Sequence, residues 1–151
     1  MPRVIHPKGF GAPLGMYSHG MVAPGGEIVV VAGQVGMRPD GSLAGDDVGR
    51  QTKQALENVR AVLEAGGCGF RDVVRLQTFL TSADDLPGFM KARQEVFPGY
   101  FPDKAWPPNT LLVVSRLVRP ELRVEIEAMA VRRPRRPGAR KRPTPRKRGR
   151  R

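Results

Sequence analysis

Apolar residues repeat with two different periods along the chain, and each period predicts its own kind of element. Between Val48 and Leu63 they recur every three or four positions, which is the repeat of an amphipathic helix. Asp46 or Asp47 can cap the first turn, and Gly66-Gly67 can end the last. The pattern therefore predicts a first helix between these two signals.

A second helix is predicted further along the chain. The segment Ser82–Asp84 offers capping residues, Pro87 suits the first turn, and Pro98-Gly99 ends the pattern. Its apolar stripe consists of Phe89, Met90, Val96 and Phe97.

Alternation with a period of two, or an unbroken β-branched run, predicts the strands. These are Met21–Ala23, Ile28–Val35, Asp72–Thr81, Leu111–Val118 and Leu122–Val131, after an extended start at Arg3–His6. Turn residues predict a hairpin between the first two strands and a turn at Arg119-Pro120 joining the last two. The order predicts an α+β domain with two helices on one face of a mainly antiparallel sheet.

Charge divides the chain into two parts. The net charge is +12, but residues 132–151 hold 12 Lys and Arg and no acidic residue, whereas residues 1–131 hold 14 of each sign. The basic part is rich in proline and has no aromatic residue, so it lacks the apolar surface needed to offset the entropy of ordering. We therefore predict a neutral domain over residues 1–131 and a disordered basic tail over residues 132–151.

Such a tail suits a polyanionic partner. Its flexible positive charges would bind DNA, RNA or an anionic membrane by counterion release, with little sequence preference. The alternative is that the tail only aids solubility or has no selected partner. The residues predicted to contact nucleic acid or another polyanion are Arg140, Lys141, Arg142, Arg146, Lys147 and Arg148.

Cysteine and histidine usage narrows the classes of site. Cys68 is the single cysteine, which excludes an intrachain disulfide framework and fits a reducing compartment, so we expect the cytoplasm. His6 and His19 do not make a metal site. No apolar stretch approaches the roughly 20 residues of a membrane span, and the N-terminus has no long apolar leader.

The last predicted strand carries the most informative pattern. Leu122, Val124, Ile126 and Ala128 share one face, and Arg123, Glu125 and Glu127 share the other. Two carboxylates on one face are typical of a half-exposed strand that meets water. A catalytic interpretation of the same face needs support from elsewhere in the chain.

That support comes from six fragments that occur in the order seen in one family. They are Gly15-Met16-Tyr17-Ser18, Val31-Ala32-Gly33-Gln34-Val35, Gln54-Ala55-Leu56-Glu57-Asn58-Val59, Leu63-Glu64-Ala65-Gly66-Gly67, Asp72-Val73-Val74-Arg75 and Val124-Glu125-Ile126-Glu127-Ala128-Met129-Ala130. In them the chain resembles the RidA family, also called the YjgF family. The resemblance covers residues 1–131.

The resemblance implies a chorismate-mutase-like fold, assembled as a homotrimer with ligand pockets between subunits. It implies hydrolysis of reactive enamines and imines to a carbonyl compound and ammonia, with no metal or organic cofactor. Glu125 matches the family carboxylate that exchanges a proton with water and substrate, and Tyr17 matches the tyrosine beside the substrate. Gly33, with a backbone N–H toward the ligand, and Leu111 join the expected binding residues.

Departures from the family pattern limit what can be carried over. Asn109 stands where the family has an arginine that clamps a substrate carboxylate, and Ala32 replaces a serine. Arg93 stands where the family often has an asparagine, so it either supplies a cation from another direction or is a solvated helix residue. The chain is then either a hydrolase with an altered substrate or a non-catalytic ligand-binding trimer. Ribonuclease activity has been attached to some relatives, but no base and nucleophile pair here demands it.

Overall fold

A computed structural model describes residues 1–133 and gives six strands and two long helices. The strands are β1 (Arg3–Ile5), β2 (Gly20–Val22), β3 (Glu27–Val35), β4 (Val73–Leu80), β5 (Asn109–Val113) and β6 (Val124–Arg132). The helices are α1 (Val48–Ala65) and α2 (Leu86–Tyr100), and short 3₁₀ turns at Phe70–Asp72 and Ala83–Asp85 lead into β4 and α2. Neither helix has the length and apolar run that a membrane crossing needs.

Four of the strands form one sheet in the order β3-β6-β4-β5. β6 runs antiparallel to both of its neighbours, and β5 runs parallel to β4. Side chains of both helices and of one sheet face share a single core, which includes Leu56 and Leu63 of α1, Phe89 and Phe97 of α2, and Leu80 of β4. The predicted fold class, with two helices on one face of a mainly antiparallel sheet, is therefore confirmed. The opposite face, which we call the open face, carries no helix.

The predicted caps of α1 explain why this helix forms where it does. Asp47 is the N-cap, and its carboxylate accepts a hydrogen bond of 2.8 Å from the backbone N–H of Arg50. At the other end Gly67 has φ +74°, and the N–H of Cys68 reaches back to the carbonyl of Leu63. The left-handed turn at Gly67 therefore ends the helix as the glycine pair predicts.

Strand pairing differs from the sequence prediction at two places. β2 does not form a hairpin with β3; it pairs with β1 in a separate two-stranded sheet, with Val4 opposite Met21. The turn predicted to join the last two strands does not make them neighbours either, because both edges of β6 are occupied by β3 and β4. Strand β5 therefore joins the free edge of β4.

Several element boundaries also differ from the predicted ones. β5 spans Asn109–Val113 instead of Leu111–Val118, and α2 continues through Pro98 to Tyr100, where the N–H of Phe101 bonds to the carbonyl of Phe97. Arg132, which the charge division places in the tail, is the last residue of β6 and forms an ion pair with Glu27 of β3. The remainder of the predicted tail, residues 134–151, lies outside the described residues.

A buried glutamine fixes the start of β6. The Gln51 side chain is fully buried, and its amide nitrogen donates hydrogen bonds of 2.9 Å to the carbonyls of Gly45 and Glu121. Its oxygen accepts a bond of 2.8 Å from the N–H of Arg123. Because Arg123 lies two residues before Glu125, this side chain of α1 helps set the position of the candidate catalytic strand.

Candidate functional site

Glu125 lies on the open face, with its carboxylate packed against Gly33. The strand pattern of β6 puts Val124 and Ile126 in the core and Glu125 on the opposite side, half-buried. The β3–β6 register shifts between Val31 and Gln34, which places a bulge at Gly33. A Cβ at position 33 would overlap the Glu125 carboxylate, lying 2.6 Å from its carboxyl carbon. The missing side chain of Gly33 is therefore what makes room for this carboxylate.

The surroundings of Glu125 on the open face are mixed apolar and polar. Its cross-strand neighbours are Val35 on β3 and Phe79 on β4. Further along the same face, Glu127 stands opposite Gln77, whose side-chain oxygen accepts a hydrogen bond from Arg75. The predicted pair of carboxylates on one face is thus confirmed, and Glu125 is the one of the two that adjoins the glycine bulge.

Tyr17 lies in the loop between β1 and β2, on the helix side of the sheet. The neighbouring residue Met16 packs against the core, and the Met16 carbonyl accepts a 2.6 Å hydrogen bond from the guanidinium of Arg93 on α2. The phenol oxygen of Tyr17 accepts a 3.3 Å hydrogen bond from the N–H of Leu14. These contacts bring Tyr17 and Arg93 into one neighbourhood.

Arg93 itself is buried. Its side chain is only 4% exposed, and the guanidinium lies over the rings of Phe97 and Phe89, at 4.3 and 5.4 Å from their centroids. Burial lowers the pKa of the Arg93 guanidinium to about 10. The residue is therefore not a solvated helix arginine within this chain.

Asn109 begins the edge strand β5 and also faces the helix side. Its register partner is the core residue Leu76, and its side-chain oxygen accepts a 3.1 Å hydrogen bond from the buried hydroxyl of Thr78. Leu111 follows two residues later on the same face and packs against the core. The bond to Thr78 leaves the amide nitrogen of Asn109 as the free end of the side chain.

Thr78 contacts Asn109 but is not among the site residues that the sequence predicts. Its side chain is buried on the face of β4 that also carries Leu76 and Leu80. A lone hydroxyl on an otherwise aliphatic strand face was the available signal, because a buried hydroxyl needs a hydrogen-bond partner.

The expected site residues fall into two groups that one chain does not bring together. Glu125 and Gly33 belong to the open face, where Phe79 is the cross-strand neighbour of Glu125. The second group lies on the helix side, around α2 and the β5 edge, and consists of Tyr17, Arg93, Asn109 and Leu111. The six polyanion-binding candidates, Arg140, Lys141, Arg142, Arg146, Lys147 and Arg148, lie outside the described residues.

Cys68 has a packing environment. Its side chain belongs to the buried core next to the end of α1. Burial raises the pKa of the Cys68 thiol, so less of the reactive thiolate is present at neutral pH.

Comparison with known proteins matches nearly all of the described chain. The sequence model of the family described as endoribonuclease L-PSP matches residues 10–132. A 2-iminobutanoate/2-iminopropanoate deaminase of Salmonella typhimurium is 30% identical over 133 residues, which cover 88% of this chain and 100% of that protein. A RutC family protein of Pyrococcus horikoshii is 36% identical over 131 residues, covering 86% of this chain and 98% of that protein.

Solved structures agree with the sequence comparison. The Rid family protein YyfB of Yersinia pestis, described as of unknown function, matches with a TM-score of 0.75 and 33% identity, covering 86% of this chain and 98% of that one. The YjgF gene product of Escherichia coli matches with a TM-score of 0.65 and 30% identity, covering 87% and 99%. These matches confirm the resemblance drawn from the six fragments, and the chain belongs to the endoribonuclease L-PSP family, which is the RidA or YjgF family.

Proposed function

We propose that this protein hydrolyses reactive imines and enamines to a carbonyl compound and ammonia. The observation that carries the proposal is the Glu125 carboxylate seated against the glycine bulge at Gly33. A relative that is 30% identical over its whole length bears the name of an imine deaminase. This combination favours a hydrolase over a ligand-binding protein that has lost its chemistry.

The proposed reaction needs one group that moves protons near the imine carbon. Protonation of an enamine at its β-carbon gives an iminium ion, which releases an N–H proton to give the imine, and water then adds to the C=N carbon. Glu125 accepts a proton from that water and returns it to nitrogen, the resulting carbinolamine loses ammonia, and the C=O bond forms. Tyr17 and the backbone N–H of Gly33 orient the substrate in this scheme.

The site is proposed to form between copies of the chain, as a homotrimer. In a single chain, Glu125 and Asn109 lie on opposite faces of the sheet, so one small substrate does not reach both. If the open face of one copy packs beside the β5 edge of the next, the two groups meet, and three such contacts close a ring.

The open face has the character of an interface that a single chain leaves uncovered. Ile28 and Val30 on β3 are 66% and 68% exposed, and Leu112 on β5 is 44% exposed. Ile28 and Val30 are neighbours on one edge strand and Leu112 lies on the opposite edge strand, so apolar surface is exposed at both edges of this face, as is typical of a protein contact surface. They support a second copy of the chain as the occupant of this face.

Asn109 supports a substrate without an α-carboxylate. A charged bidentate pair contributes on the order of 1.5–3 kcal/mol, so its absence weakens binding of an α-imino acid by roughly tenfold to a hundredfold. The amide nitrogen of Asn109 is the free end, because Thr78 already bonds to the oxygen. A neutral acceptor such as an amide or ketone oxygen is its natural partner.

Ammonia release tests the proposal directly. The protein and its Glu125→Gln variant are compared on freshly generated 2-aminoacrylate and on the corresponding amide, 2-aminoacrylamide. We expect release to be accelerated by the wild-type protein, more strongly for the amide, and to fall by a factor of about 10² or more in the variant. Equal rates for the two proteins on both substrates would instead support the non-catalytic ligand-binding trimer.

A second proposed activity belongs to the basic tail. Residues 132–151 hold 12 positive charges and no negative one. Three tails on one trimer would bind a nucleic acid with higher avidity than a single tail. The full chain is compared with a chain ending at Arg133 for binding to single-stranded DNA at two salt concentrations. Salt-sensitive binding that vanishes with the tail is expected, whereas equal binding by both chains refutes this role.

The cysteine content of the chain bears on its cellular compartment. The thiol of Cys68, the single cysteine, is buried and forms no disulfide, which fits a reducing environment. We propose that the reaction takes place in the cytoplasm.

A further inference from the structure

Arg93 is a buried cation that no carboxylate neutralises among the described residues. No ion pair within residues 1–133 includes it, and its Nε atom is buried without a hydrogen-bond partner there. Burying a charge without a counterion costs free energy unless other contacts offset it. The contacts that offset this cost therefore indicate the role of the buried guanidinium.

The main polar contact of Arg93 is the peptide group between Met16 and Tyr17. The carbonyl of this group accepts the 2.6 Å hydrogen bond from Arg93, and its N–H donates a 2.9 Å bond to the carbonyl of Gly15. A peptide group is planar, so a bond at each end fixes its orientation. That orientation in turn sets the direction in which the Cα–Cβ bond of Tyr17 points.

A second contact from α2 holds the same loop. Met90 lies one turn before Arg93, and a Cβ at Gly15 would lie 3.3 Å from the Met90 methyl group. The rings of Phe97 and Phe89 hold the guanidinium from its faces, so it has little freedom to turn away from the loop. Residues of α2 therefore contact the segment Gly15, Met16 and Tyr17 from one side and restrict its movement.

We propose that Arg93 is a positioning residue, which fixes the Met16–Tyr17 peptide group and thereby aims the Tyr17 phenol at the substrate. The inference rests on the proposed function for its catalytic consequence. It gives Arg93 a different role from a direct clamp on a substrate carboxylate, because the residue is buried and its shortest hydrogen bond goes to the protein backbone.

The variants Arg93→Met and Arg93→Lys distinguish the contribution of the hydrogen bond from that of side-chain packing. Arg93→Met keeps an unbranched side chain in the aromatic pocket but has no donor, whereas Arg93→Lys keeps a donor that can reach a carbonyl. Lys91→Met is the matched control, since Lys91 is an exposed residue of the same helix. Melting temperatures of all three variants show whether each one folds.

Hydrogen exchange at the backbone N–H groups of residues 15–18 tests the positioning without reference to activity. We expect exchange at Tyr17 to rise by about tenfold or more in Arg93→Met, to rise less in Arg93→Lys, and to stay unchanged in Lys91→Met. Unchanged exchange in a folded Arg93→Met protein would overturn the proposal.

A double-mutant cycle with Tyr17→Phe tests whether Arg93 acts through Tyr17. For the preferred imine substrate, Arg93→Met should lower kcat/KM by roughly tenfold to a hundredfold, with partial recovery in Arg93→Lys. When Arg93→Met is added to Tyr17→Phe, kcat/KM should fall by less than about a further twofold, because the two residues act as one unit. Fully multiplicative losses would overturn the proposal. A wild-type protein without imine hydrolysis would refute the proposed function alone, since the exchange measurement still decides whether Arg93 positions the loop.

Discussion

At the scale of single residues, two positions shape the candidate site. Gly33 has no side chain, and Asn109 has a neutral one. Gly33 leaves the volume that the Glu125 carboxylate fills. Asn109 places a neutral amide beside Thr78. In the proposed function, the first feature makes room for the proton-exchanging group, and the second sets which substrates bind beside that group.

Gly33→Ala should remove activity with little loss of stability. The added Cβ would overlap the Glu125 carboxylate, which must turn away from the bulge. Displacing a general acid–base group typically costs a factor of 10²–10⁴ in kcat, and steady-state ammonia release measures the loss. Gly25→Ala is the matched control, because nothing lies within 4 Å of a Cβ at Gly25. Activity within about twofold of wild type in both variants would contradict the assigned place of Glu125.

Asn109→Arg should shift preference toward α-imino acids. A guanidinium at the β5 edge can bind a carboxylate in a bidentate manner, so kcat/KM for 2-aminoacrylate should rise by roughly tenfold or more. The amide substrate should gain nothing. Ammonia release on the two substrates measures the ratio, and Thr110→Arg, one residue along on the exposed side of β5, is the control. An equal gain with both arginine variants would contradict the specific role of position 109.

At the scale of elements, the sequence patterns predict where each helix lies but not how the strands pair. The periods of α1 and β6 are local, and the caps at Asp47 and Gly67 act within one turn, so their prediction succeeds. Pairing depends instead on which strand edges remain free after the core has formed. The hairpin prediction at Pro24–Glu27 fails because a turn-forming sequence does not require its flanking strands to pair.

The candidate site was predictable to a similar degree. Strict alternation on β6 predicts the face on which Glu125 lies, and the candidate roles of Glu125 and Gly33 come from the family fragments that they match. The bond between Arg93 and the Met16 carbonyl joins residues 77 positions apart. The bond between Thr78 and Asn109 joins residues 31 apart. Neither contact has a local pattern, so each is visible only after the chain has folded.

Gln51→Leu should lower stability more than any loss of a surface contact. It removes three hydrogen bonds that join α1 to the segments before α1 and before β6. With about 1 kcal/mol for each bond, the free energy of unfolding should fall by about 2–4 kcal/mol. Urea unfolding at one fixed protein concentration measures the change.

Gln54→Leu is the control for this variant, because Gln54 lies on the same helix and, within residues 1–133, its side chain bonds only to the side chain of Asn58. It should cost less than about 1 kcal/mol. Equal losses in the two variants would mean that Gln51 does not anchor β6.

At the scale of the whole molecule, the open face decides whether the protein works as a single chain or as an assembly. It presents Ile28, Val30 and Leu112 together with Glu125, while α1 and α2 cover the other face. In the proposed homotrimer, a ring of copies covers the apolar residues and brings the two groups of expected site residues together. Assembly and catalysis are then one requirement.

Val30→Asp should dissociate the assembly. A carboxylate in the middle of the apolar part of the face would be buried without a partner on association. Sedimentation velocity should show a trimer for wild type and a smaller species for the variant. Val118→Asp is the control, since Val118 is 76% exposed and lies outside the sheet. A wild-type monomer, or a Val30→Asp trimer, would contradict the proposed interface.

Mixing two inactive variants tests the shared site most directly. Glu125→Gln and Tyr17→Phe chains, each much less active than wild type as a pure assembly, are unfolded together in equal amounts and refolded. If Glu125 and Tyr17 of one site come from different copies, about a quarter of wild-type activity should return, because each mixed trimer regains one of its three sites. Mixed assemblies that form but show no more activity than the separate variants would contradict a site shared between copies.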